Sequence, residues 1–225
     1  HNLIGNMAKS LPEGQRGIAL FIGNVEAPAQ YKDNCYKWRQ ESSWLYYFGI
    51  DTPGYAAVID LDSADTVIYA DDFDIDDIIW MGPQPSVASK AAEVGVGKTA
   101  PFKALNAAVS AAISAGRRVH FLPPSRYYNT MMLMELTGCS RQEASVTAAG
   151  PGSHASEELV KAVISQRLVK EACEIEQIDH ACDLGYQMHS LGRDSIQLGI
   201  IEQEIVGKME GLTFSKGWGP SFPTI

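Results

Sequence analysis

The chain has 225 residues, and 18 Lys+Arg against 27 Asp+Glu leave a formal net charge of −9. That length makes one large domain or one and a half, able to bury about 70% of its unfolded surface without a metal or disulfide staple. Hydrophobic residues at 45% and charged residues at 20% exclude a disordered or coiled-coil chain, and the acidic balance argues against nucleic acid or an anionic membrane as partner, since both require clustered Lys/Arg.

In chain order, Ile18–Ile22 is a short apolar run that predicts a strand. The longest apolar run, Gly17–Gly23, is far short of the ~20 residues of a membrane span. No charged-then-apolar leader is visible after His1. Trp44–Phe48 is aromatic-rich, Tyr55–Asp60 is apolar and β-branched, and Thr66–Tyr69 alternates after the turn-forming Asp62-Ser63. All three read as strands. Phe102, Leu105, Val109 and Ile113 then recur at helical spacing, with Gly116 as the stop. Val119–Leu122 is a further strand, ended by Pro123-Pro124. Strands interleaved with helices imply an α/β layer structure. Tyr127–Leu136 reads as a Met-rich helix, and Ser140 to Glu143 has the spacing of a capping box.

At Gly150–Ala155 the composition shifts to that of a linker, which divides the chain into expected domains 1–150 and 151–225. The remainder reads helical. Ser156 is a good N-cap, with Glu157 and Glu158 opposing the helix dipole. Ile175, Ile178, Cys182 and Gly185 form one apolar stripe; Ile201, Ile205, Met209 and Leu212 form a second. Helices without a sheet make a poor independent domain, so this second part reads as truncated.

Cys35, Cys139, Cys173 and Cys182 contain no C-x-x-C pair, so zinc-ribbon and thioredoxin readings fall. Cys173 and Cys182 share one expected helix, pointing to opposite faces about 13 Å apart, too far for a disulfide. Unpaired thiols fit a reducing, cytoplasmic setting.

Three segments invite a site. Ala92-Glu-Val-Gly-Val-Gly97-Lys98-Thr99 matches the loose phosphate-loop pattern. That loop works between a buried strand and a helix, so that backbone N–H groups converge on the phosphates. Here the preceding Pro83–Lys90 stretch is polar and Pro101 falls close after Lys98, where the helix should be under way, so the nucleotide reading fails. Asp71-Asp72-Phe73-Asp74-Ile75-Asp76-Asp77 lacks the glycine and the terminal Glu of a calcium loop. It reads instead as an acidic turn opening a helix at Ile78-Ile79-Trp80. Glu176, His180 and Asp183 line one helix face, as metal ligands would or as an ordinary polar face would, and no second cluster completes a site. No nucleophile elbow, HExxH pair or Cys/His dyad occurs. No catalytic or metal-ligating residue is therefore assigned.

One set of segments says more. Arg39-Gln-Glu-Ser-Ser-Trp-Leu-Tyr-Tyr-Phe-Gly49, with Pro53-Gly54 after it, resembles the RQ-x-S-x-F-x-Y-x-x-G strand of Xaa-Pro aminopeptidases and prolidases. Asp77-Ile-Ile-Trp80-Met-Gly82 is similar to their IW-x-G turn. Arg167-Leu-Val-Lys170 with Glu174-Ile175 and Ala181 is similar to the stretch opening their pita-bread catalytic domain. Gly199–Ile205 resembles the next helix of that domain, and Pro220–Ile225 resembles the segment leading into its first catalytic strands, all in the family's order.

The resemblance implies a mixed β-sheet flanked by helices, a creatinase/prolidase-type N-terminal α/β domain, and then the first helices of a truncated pita-bread domain. It implies a parent metallopeptidase that hydrolyses Xaa–Pro bonds in proline-containing peptides with two divalent metal ions, usually manganese. All the family's metal ligands lie beyond the Pro220–Ile225 segment, so this chain carries no cofactor and is expected to be inactive alone. It would serve oligomerisation, as a dimer or tetramer, and gating of the substrate pocket. Trp80 is the one residue the resemblance assigns to substrate binding, since the tryptophan of that turn projects toward a neighbouring subunit's active site. Its place after an acidic run and before Met81-Gly82-Pro83 suits exposure, although tryptophan is most often core. The alternatives are a creatinase-like, metal-free amidinohydrolase and a non-catalytic interaction module.

Overall fold

The computed structural model describes residues 2–14, 16–149, 152–217, 219–222 and 224. Gly150 and Pro151 of the expected linker, and Pro223 and Ile225 of the last family-like segment, lie outside the described residues. The chain forms two compact units, 1–167 and 168–225.

The first unit is built on five strands, β1 (Ile18–Ile22), β2 (Ala56–Asp60), β3 (Thr66–Tyr69), β4 (Thr99–Ala100) and β5 (Val119–His120), in the order β4-β3-β2-β1-β5. β1–β2 and β2–β3 pair antiparallel, while β1–β5 and β3–β4 pair parallel. The sheet is mixed, as expected.

Both faces are covered, which is why the strands read as near-continuous apolar runs. Ala19 and Phe21 of β1 point to one core, with Leu3 and Met7 of α1 (Asn2–Ala8), Trp44 and Phe48 of α2 (Ser42–Phe48) and Val87 of α4 (Val87–Glu93). α3 (Ile75–Met81) lies between these helices in sequence and buries nothing. Ile18 and Leu20, alternate residues of the same strand, enter the other core. There they meet Leu105 and Val109 of α5 (Ala104–Ser114), Leu133 of α6 (Tyr127–Thr137) and Ala144 of α7 (Arg141–Ser145).

The aromatic run Trp44–Phe48 is a helix, not the expected strand. Its composition favours β-structure, but both ends are capped as a helix. The Glu41 carboxylate accepts from the Trp44 N–H at 2.7 Å, and Gly49 closes the helix in the left-handed region at φ 64°. The i, i+4 spacing of Trp44 and Phe48 stacks the two rings at 4.5 Å on the buried face. Strand β5 is also shorter than expected, because Pro123 and Pro124 bring no N–H to a ladder.

After the composition shift the chain stays with the first unit. β6 (Thr147–Ala148) pairs with β7 (Ala155–Ser156), and α8 (Glu157–Leu168) places Leu159, Ala162 and Val163 in the first core. In the second unit α9 (Ala172–Asp194) packs on α10 (Glu202–Lys216), with Gly192 admitting the Met209 sulfur where a Cβ would stand 2.8 Å away.

Candidate functional site

Helix α3 is assembled from carboxylates. Asp74 caps it, accepting from the Asp77 N–H at 2.9 Å, and Asp77 returns the bond from the Asp74 N–H at 3.2 Å. Asp71 accepts from the Phe102 N–H at 3.0 Å and Asp72 from the Val87 N–H at 2.6 Å. These bonds anchor the base of the helix to its neighbours. The apolar side chains point away from them: Trp80 is 87% exposed, and Ile75 and Ile79 are exposed with it. Trp80 therefore has the exposure its setting suggests. An exposed indole offers a flat apolar face that another surface can cover.

The Arg39–Gly49 motif works as scaffold. Gln40 is 2% exposed; its Oε1 accepts from the Asn24 N–H at 2.7 Å and the Glu41 N–H at 2.9 Å. Its Nε2 donates to the Thr52 carbonyl at 2.8 Å. Trp44 Nε1 donates to the Ile50 carbonyl at 2.8 Å. One glutamine thus ties the end of β1 to both flanks of α2.

A second polar knot was illegible in the sequence. His120, 0% exposed, has Nε2 2.9 Å from the Arg16 carbonyl and Nδ1 2.7 Å from Ser156 Oγ. A carbonyl only accepts, so Nε2 of the neutral imidazole carries the proton, and Nδ1 shares the single proton of the serine hydroxyl with the Glu158 carboxylate. The Glu158 carboxylate stands 3.0 Å from the same hydroxyl, and Arg118 pairs with Glu158 at 3.1 Å. Burial, then the Arg118 charge, pushes the imidazole down to about 4. The distances are those of a nucleophile and its base, but Ser156 is also 0% exposed and caps α8 through the Leu159 N–H. No substrate reaches it; the knot fastens α8 to β5.

The other sequence candidates are dispersed. In the phosphate-loop pattern Lys98 pairs with Asp65 at 2.8 Å and Thr99 enters β4, so the lysine leads into a strand and not a helix. Glu176, His180 and Asp183 sit exposed or nearly so along α9, as do Cys173 and Cys182. Among the described residues no group of three His, Cys, Asp or Glu gathers as a metal would require.

A family model described as aminopeptidase P, N-terminal domain, matches residues 1–120. Among solved structures, the low-pH form of Escherichia coli aminopeptidase P is similar at 20% identity and a TM-score of 0.71, over 96% of this chain and 48% of that one. The zinc-substituted form of that enzyme in complex with product is similar at 20% identity and 0.72, again over 96% and 48%. Pseudomonas aeruginosa aminopeptidase PepP is similar at 19% identity and 0.73, over the same shares. No curated protein matches. The chain spans about half the length of the solved structures it matches.

Proposed function

The chain belongs to the family defined by the N-terminal domain of aminopeptidase P, and on that premise we propose that it is the N-terminal part of an Xaa-Pro peptidase. The parent hydrolyses peptides with proline in the second position. The division into a creatinase-type domain and the opening of a catalytic domain belongs to the same proposal, with the first compact unit reaching residue 167. The observation that carries the role of this part is Trp80, 87% exposed on a helix that buries nothing. Burying a tryptophan normally repays its large apolar area, so a fold that mounts one outward needs another surface to cover it. In this reading Trp80 walls the substrate pocket of a second copy, and the same contact supports a homo-oligomer.

In this reading the ligands of the metal pair that the family implies belong to the remainder of the parent. The chain by itself is a gating and assembly element without turnover. No described helix is long and apolar enough to cross a membrane. The free thiols Cys173 and Cys182 support a reducing compartment.

The test uses the parent protein. Hydrolysis of an Ala-Pro peptide bond, against its Ala-Ala counterpart, is expected; creatine turnover instead would establish the amidinohydrolase alternative. Trp80→Ala should lower kcat/KM roughly tenfold or more with Tm within about 1 °C of the parent. A fall in Tm with unchanged kinetics would remove Trp80 from the pocket.

A further inference from the structure

Helix α3 is seven residues long and buries nothing, so neither its own length nor a packed face fixes where Trp80 points. Its position is set where the segment around it meets the rest of the fold. On the entry side Ala70 is still held to the sheet, its N–H donating to the Ala100 carbonyl at 3.2 Å, and Asp71 accepts from the Phe102 N–H. On the exit side Val87, 6% exposed, opens α4 within the first core. Residues 73–86 form an arm between these two anchored points.

Asp72 joins the two sides. Its Oδ1 accepts from the Val87 N–H at 2.6 Å, across 15 positions. That N–H lies in the first turn of α4 and has no acceptor within the helix. The capping residue Ser86 does not serve it either, since its hydroxyl oxygen accepts from the Ser89 N–H at 3.1 Å. Lys90, in the last turn of α4, lies 5.5 Å over the Phe73 ring and draws the start of the arm toward the same helix. Gln84 donates to the Met81 carbonyl at 3.1 Å, a bond internal to the arm. The base of the arm is thus closed by the Asp72 carboxylate, and the helix above it carries the exposed indole.

We infer that Asp72 is a positioning residue for Trp80. It closes the base of the arm and so holds the indole at the place where it walls the pocket; the inference rests on that reading of Trp80. A misplacement of about 1 Å in a group that orients substrate can cost on the order of 10²-fold in rate. The bond at the base is therefore read out in catalysis, although Asp72 acts only through the helix it anchors.

The test uses the parent protein and an Ala-Pro peptide. Asp72→Ala should lower kcat/KM roughly fivefold or more. Asp72→Asn keeps the acceptor oxygen and should stay within about twofold of the parent. The double variant D72A/W80A should be no slower than Trp80→Ala alone, because one residue acts through the other. Hydrogen exchange supplies a readout independent of turnover: Asp72→Ala should speed exchange at the Val87 amide and across α3 roughly tenfold or more, with β1 and β2 unchanged. Full activity of Asp72→Ala beside a slowed Trp80→Ala overturns the inference and leaves the pocket reading standing. Additive losses in the double variant, or unchanged exchange across α3, overturn it in the same way. Full activity of Trp80→Ala removes the pocket reading itself, and the inference with it.

Discussion

Gln40 and Trp80 are opposite cases of one question, namely what a side chain costs to remove. Gln40 is buried and serves four backbone groups through its two ends, sharing the Ile50 carbonyl with Trp44. Gln40→Leu leaves the other three dry and unpaired, and should cost about 2–4 kcal/mol in urea unfolding. His120 gives the same logic a pH dependence. An ordinary imidazole titrates at 6.5, while the buried one stays neutral down to about 4. As pH falls through that window only the unfolded chain takes up the proton. Stability is therefore fully present above pH 6.5 and falls by on the order of 3 kcal/mol on approach to pH 4. His120→Gln should flatten that slope in urea titrations at pH 7, 5.5 and 4.5. Asp60, held at about 2 by the hydrogen bonds from Arg117, loses its contribution lower, as pH drops from 3.8 toward 2.

Elements here are decided by their ends. The aromatic run 44–48 reads as a strand by composition and folds as α2 because Glu41 and Gly49 cap it. Two glycines separate a conformational requirement from a steric one. Gly49 takes φ 64° with only a distant methyl for company, so Gly49→Ala should cost about 1 kcal/mol. Gly17 takes φ 74°, and a Cβ there would stand 2.1 Å from the Arg118 carbonyl oxygen, at the entry to β1. Gly17→Ala should destabilise by more than about 4 kcal/mol, because backbone of β1 or β5 must move. Far-UV circular dichroism melts of the pair would rank them, and equal losses would contradict the close approach.

At the scale of the molecule, the first unit needs α8. Leu159 is 0% exposed and shares its core with Phe21 and Trp44. A fragment ending at residue 150 strips that helix from the sheet and uncovers an apolar face, whereas one ending at residue 167 keeps it. The longer fragment should melt cooperatively as a monomer. The shorter one should aggregate or bind a hydrophobic dye, and two equally cooperative fragments would show α8 to be dispensable.

Local patterns determined a good part of this protein. β1, β2 and β3, the helices α5 and α6, and the capping boxes at Asp74 and Ser140 arise from periodicity and cap chemistry that act within a few residues. The order of the short motifs pointed to the family for the same reason: Gln40 and Gly49 act on the turns beside them, and the exposed setting of Trp80 is written in its acidic and turn-forming neighbours. Tertiary structure decided the rest. Asn129 meets Asn24 across 105 positions, His120 meets Arg16 across 104, and Tyr47 meets Gln166 across 119. None of these pairs leaves a periodic or spacing signal, because each partner is polar in an otherwise ordinary segment and is chosen only when the sheet closes. The linker-like composition at 150–155 likewise marks a change of texture without marking where packing ends. Which core α8 joins depends on the apolar surface that β1 and α2 leave uncovered, and that surface exists only once they have folded.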